Sequence, residues 1–179
     1  MSTDDPIADT RLWLERAVIG LNLCPFAKAV QAKGQVRYVL SDAETPADLL
    51  EQLGEELLLL RDMPSDEVDT TLLIHPQVLT DFLDYNDFLD DADALIEQLE
   101  LDGVIQVASF HPQYQFAGTD AGDIGNFSNR SPWPMLHLLR EDSVERAVAA
   151  YPQPDSIIER NQQTLRALGH EGWTKLFDG

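Results

Sequence analysis

One cysteine, Cys24, stands in 179 residues, so no disulfide can form within the chain. A reducing compartment, the cytoplasm, is the expected setting. Long apolar runs are missing too. The longest tight cluster, Leu57-Leu58-Leu59-Leu60, falls far short of the ~20 residues that cross a bilayer as a helix. The opening MSTDDPIADTR has no basic segment followed by an apolar one, so no secretory signal is expected. Also missing are the spacings GxxxxGKS/T, GxSxG, HExxH and GxGxxG, and the glycine-bearing pattern of a calcium loop. Each absence removes a mechanism whose backbone or ligand geometry depends on that spacing.

Basic residues are scarce, and the scarcity is local. The net charge is −20, yet residues 62–129 hold no Lys or Arg against 15 acids, while the flanks are nearly balanced. Such a middle repels nucleic acid and anionic membrane surfaces, so neither is an expected partner. A solvated face that keeps the protein soluble, a docking face for a basic partner or cations, and adaptation to salt all fit this charge.

The 44% hydrophobic content excludes a disordered chain. The length suits one domain, and neither a linker nor a repeat interrupts residues 1–179. Asp5 and Pro6 start a helix over about residues 6–20 with Trp13, Ala17 and Val18 on its apolar face, and a short helical turn spans residues 24–34. VRYVL at 36–40 and TTLLI at 70–74 read as strands. Between them Thr45-Pro46 opens a helix whose Leu50, Leu53, Leu57 and Leu60 recur at helical spacing. Residues 79–100 form an amphipathic helix with an Asp-rich outer face, and VIQVASF at 104–110 forms a third strand. Residues 113–130 read as loop, with QYQF at 113–116 able to extend the strand or form a hairpin. Ser131-Pro132 then opens a helix to about residue 150. A capping box at Ser156 and Glu159 starts a last helix ending near Gly169, with the aromatic tail packed behind it. Strands alternating with helices predict an α/β fold: a small sheet of three or four strands, some of them parallel, flanked by helices.

Two strands end in His-Pro, at His75 and His111. Proline stops a ladder and frees the next loop, and ligands gather at the carboxyl ends of parallel strands. Both imidazoles therefore fall at the edge where proton transfer or metal ligation would occur. Cys24 precedes Pro25, and a helix starting there would lower its thiol pKa. The loop at 118–132 brings Asn126, Asn129, Arg130 and Ser131 to a helix start that suits an anion. His137 and Glu141 are four apart on the expected helix, a weaker pairing.

Asn22-Leu23-Cys24-Pro25-Phe26-Ala27, Phe110-His111-Pro112-Gln113-Tyr114-Gln115-Phe116, and Asn129-Arg130-Ser131-Pro132-Trp133-Pro134 with His137-Leu138-Leu139-Arg140 together resemble a bacterial family of about this length. It is catalogued only as a domain of unknown function. The resemblance covers nearly the whole chain and implies a stand-alone bacterial protein.

Two function classes follow from the residues. In the first, a small-molecule enzyme uses Cys24 as nucleophile and His111 as base, with Asn126, Asn129, Arg130 and Ser131 holding an anionic substrate group. In its metal form, Cys24, His75 and His111 hold Zn or Fe. In the second, a non-catalytic adaptor presents the acidic helix face to a basic partner.

Overall fold

Local signals at the chain's start are obeyed closely. The Asp5 carboxylate accepts from the Ala8 N–H at 3.1 Å, and Pro6 occupies the first position of α1 (Pro6–Trp13), where a missing N–H costs nothing. Beyond Trp13 the winding loosens. Leu14–Ile19 is a π-helical turn, marked by the Gly20 N–H bonding the Glu15 carbonyl five residues back at 3.0 Å. After it come α2 (Ala27–Ala32), β1 (Val36–Leu40), α3 (Pro46–Asp62), β2 (Thr70–Ile74), α4 (Phe82–Gln98) and β3 (Ile105–Phe110). A 3₁₀ turn (Ile124–Asn129), β4 (Met135–Arg140), α5 (Glu141–Ala150) and α6 (Ile157–Lys175) complete the chain. The structure is a computed structural model describing residues 5–178. Residues 1–4, which open the stretch read for a secretory signal, and Gly179, the last of the tail, lie outside the described residues.

Three expectations are corrected. Residues 131–150 are not one helix: Met135–Arg140 is a strand and the helix starts only at Glu141. Pro134 blocks a helix through 131–134, and MLHLLR has no polar side to turn to water, which suits a strand buried on both faces. His137 and Glu141 therefore share no helical face. QYQF neither extends β3 nor forms a hairpin, since the strand stops at Phe110. The Ser156 capping box does not form, because its hydroxyl donates to the Gln153 carbonyl at 2.7 Å. The last helix is interrupted at Gly169, whose φ of 71° only glycine adopts without strain.

The sheet has the order β1-β2-β4-β3, with β1 and β2 parallel and β4 antiparallel to both neighbours. Hence β1, β2 and β3 all run the same way, and Ile74, Met135 and Phe110 stand abreast at one edge. The fold is α/β, a four-stranded and partly parallel sheet flanked by helices. Side chains alternate between its faces. On one face Leu73, Leu136 and Leu138 pack against Leu53, Leu57 and Leu60 of α3 and Phe88 of α4. Arg37 holds Glu56 of α3 by two bonds of 3.1 Å. On the other face Leu72, Ile74 and Met135 meet Trp13 of α1, Ala17 of the π-helical turn, and Trp173 and Phe177 from the chain's end. That second face is covered only in part, and the gap is a cavity.

Candidate functional site

At the carboxyl edge, His75 and His111 lie together as the parallel strands require. Their backbone N–H groups bond the Pro134 and Asn129 carbonyls at 3.0 and 3.1 Å. Both rings are fully buried, with Tyr85 between them at centroid distances of 5.8 and 4.9 Å. His111 Nδ1 accepts from the Gln113 N–H at 3.0 Å, so the ring proton sits on Nε2 and is donated to the Leu79 carbonyl at 3.0 Å. Both nitrogens are thus occupied, and burial pushes the His111 pKa down. His75 donates from Nδ1 to the Val78 carbonyl at 2.9 Å, leaving Nε2 buried without a partner. Burial, with the neighbouring His111 adding to it, pushes His75 down to about 4. The Tyr85 hydroxyl donates to the Met135 carbonyl at 2.6 Å and accepts from the Phe110 N–H at 3.1 Å. Two neutral histidines and a tyrosine thereby tie together the ends of β2, β3 and β4.

The loop after β3 is tied down in the same manner. Asn126, fully buried, accepts from the Phe116 N–H and the Thr119 hydroxyl at 3.0 and 3.1 Å and donates to the Asp120 carbonyl at 2.9 Å. Asn129 donates to the Ser109 carbonyl at 3.0 Å. Ser131 donates to the Trp133 carbonyl at 2.7 Å. Arg130 donates to the carbonyls of Tyr114 and Ala121 and lies 4.6 Å from the Phe127 ring centre. Burial lowers its pKa. The helix start expected at Ser131 to receive an anion is absent, since β4 follows. Among the described residues, no three His, Cys, Asp or Glu side chains converge as a metal would require.

Cys24 lies elsewhere, in the turn between the π-helical segment and α2. The expected helix at Pro25 begins only at Ala27 and is six residues long. Burial dominates and raises the thiol pKa; the N–H groups of Phe26 and Ala27 pull the other way and lose. The expected drop is therefore reversed.

Cys24 does line a cavity of about 600 Å³ on the partly covered face. Leu72 and Ala108 of the sheet form its floor; Leu14 and Val18 of the π-helical turn and Val144 and Ala147 of α5 form its walls. The cavity runs from Phe110 toward the amino ends of β2 and β3, where Asp69, Thr70, His137 and Ser143 line it. The Thr70 hydroxyl stands 2.6 Å from the Leu138 carbonyl and 2.7 Å from His137 Nε2. A carbonyl only accepts, so the hydroxyl hydrogen goes there and Nε2–H of His137 donates to Thr70. Nδ1 is left as a bare acceptor on a ring that burial holds at a pKa of about 4. Asp69 accepts from the Ser143 hydroxyl at 2.6 Å. A smaller cavity of about 310 Å³ shares Val18, Cys24 and Phe110 with the first and reaches Asn129.

The structure thus brings Cys24 to His137 in one cavity and to Asn129 in the other. His75, His111, Asn126, Arg130 and Ser131 line neither. Sequence reasoning placed His137 on a helix and passed over Asp69 and Thr70. The usable signal was a lone polar residue inside MLHLL at 135–139, a run otherwise apolar on both faces.

The chain belongs to the family described as "Protein of unknown function (DUF1415)", which matches over residues 5–175. No curated protein and no solved structure matches it.

Proposed function

We propose that this member of the DUF1415 family binds a predominantly apolar small molecule in the 600 Å³ cavity. One observation carries the reading: an apolar space of ligand size, with polar groups gathered at one end, lies on the sheet face that the helices leave open. Packing alone does not account for such a space. At ~24 cal/mol per Å³, filling even a third of it with side chains would stabilise the fold by about 5 kcal/mol, a large part of a typical net stability. The site supports binding more than nucleophilic chemistry. A thiol with a raised pKa is mostly protonated at neutral pH, and an imidazole held near 4 is a weak base. An enzyme using Cys24 with His111 and an Arg130 anion clamp draws little from this geometry, because the groups of His111 and Arg130 already serve the fold.

The test is uptake of Nile red, a neutral dye whose emission reports apolar surroundings. Saturable one-to-one binding is expected. Ala108→Phe, which pushes a ring up from the cavity floor, abolishes it while preserving the circular dichroism spectrum and the melting temperature. Absence of uptake, or uptake unchanged in this folded variant, overturns the reading.

A second reading rests on α4. Asp84, Asp87, Asp90, Asp91, Asp93 and Glu97 are all exposed, and among the described residues none forms an ion pair. Such a face suits a basic partner. Salt-sensitive capture of a basic peptide that vanishes on changing Asp84, Asp87 and Asp91 to Asn supports it; capture unaffected by those changes rejects it.

A further inference from the structure

The polar end of the large cavity has a consistent hydrogen-bonding sense. Among the described residues no Lys or Arg lines the cavity, and the one charged residue in the lining is Asp69, a carboxylate. The two hydroxyls beside it have already given away their hydrogens, Thr70 to the Leu138 carbonyl and Ser143 to Asp69. The His137 ring has given Nε2–H to Thr70 and keeps a lone pair on Nδ1. Nδ1 has no partner among the described residues and is not among the polar atoms sealed away from solvent, and its ring lines the cavity. What the side chains at this end offer a ligand is therefore lone pairs and negative charge. The side-chain donors that remain in the lining, the Cys24 thiol, the Gln106 amide, the Tyr151 hydroxyl and the Trp13 indole N–H, which is buried without a partner, are all neutral. Arg146 and Arg160 touch the cavity's rim from outside, through Ser143 and Tyr151, and both are solvent-exposed.

Resting on the proposed binding role, we infer that the cavity selects an apolar molecule bearing a hydrogen-bond donor, an amine, alcohol or phenol, and rejects carboxylates and phosphates. The cost of the wrong group follows from burial. A carboxylate placed against Asp69 and the His137 lone pair would lose its hydration and meet like charge, with no cation in the described lining to repay either. An ammonium or hydroxyl there satisfies two acceptors that are otherwise left to water.

The experiment is displacement of Nile red by n-decylamine, n-decanol and n-decanoate below their aggregation thresholds. It is run at about 0.5 M salt, where screening cuts the reach of the protein's net charge to a few Å. Decylamine and decanol are each expected to compete at least tenfold better than decanoate. The neutral alcohol matters because attraction of a cation to an acidic surface does not explain its advantage. Asp69→Asn is expected to lower the amine-to-carboxylate ratio at least fivefold. If Nile red enters and is excluded by Ala108→Phe, yet decanoate competes as well as the other two, this inference is overturned and the binding role stands. If Nile red does not enter and none of the three binds by calorimetry, the binding role itself fails.

Discussion

His75 shows most directly how a single residue couples burial to stability. Its ring is sealed beside Tyr85, and its pKa in the fold is about 4 against about 6.5 in an unfolded chain. Between those values the unfolded chain holds the extra proton, so acid favours unfolding. The contribution of His75 is complete above pH ~6.5 and is lost as pH falls to about 4, on the order of 3 kcal/mol. His137, which burial also holds at about 4, works in the same direction. Urea midpoints measured from pH 7 to pH 4 are expected to fall steeply, and His75→Gln to flatten the slope. An equal slope in the variant contradicts the assignment. Asn126 is a second residue whose side chain is fully committed. Asn126→Ala strips partners from buried groups at Phe116 and Asp120, and about 2–4 kcal/mol of destabilisation is expected in urea unfolding. Cys24 is predicted to alkylate slowly at neutral pH, to react faster only as pH rises past the ordinary thiol range, and to be shielded by a cavity ligand. Fast labelling at pH 7 that no ligand slows runs against both the burial and the cavity.

Among the elements, two helix starts that look alike in sequence behave differently. Thr45 accepts from the Asp48 N–H at 3.1 Å, so Thr45→Ala is expected to cost about 1 kcal/mol. Ser156 precedes a helix with the same kind of motif but bonds backward to Gln153, so Ser156→Ala is expected to change stability by less than about 0.5 kcal/mol. Thermal or urea unfolding of the two variants side by side checks the contrast. The π-helical turn is the element that matters most to the site, since its Leu14 and Val18 line the cavity while Ala17 packs in the core. β4 matters next, because it carries His137 on one face and Leu136 and Leu138 on the other.

At the scale of the molecule, the −20 charge works against compactness, and α4 presents its acids to solvent. Self-repulsion of that size is screened within about 10 Å at 0.1 M salt. The melting temperature is expected to rise by several degrees between low and moderate salt, and a flat profile would show that the acids are too far apart to matter. Among the described residues no helix is long and apolar enough to cross a membrane.

Much of this was legible from the order of residues alone. VRYVL and TTLLI are strands at the expected residues, and Thr45-Pro46 starts its helix where expected. The parallel run of β2 and β3 puts both His-Pro pairs at one edge, because local propensity and capping act within a few residues. Residues 135–140 were not legible: MLHLLR becomes a strand because β2 and β3 bracket it and pair with it, and pairing partners are not encoded beside the segment that uses them. The protonation of Cys24 and His137 was out of reach for the same reason, since a pKa follows from what surrounds a group in space. Sequence determined an acidic α/β chain with one thiol and two histidines ending strands. Tertiary structure decided that those histidines tie strand ends together, and that Cys24 and His137 line one cavity, because burial and hydrogen-bond partners exist only once distant segments meet.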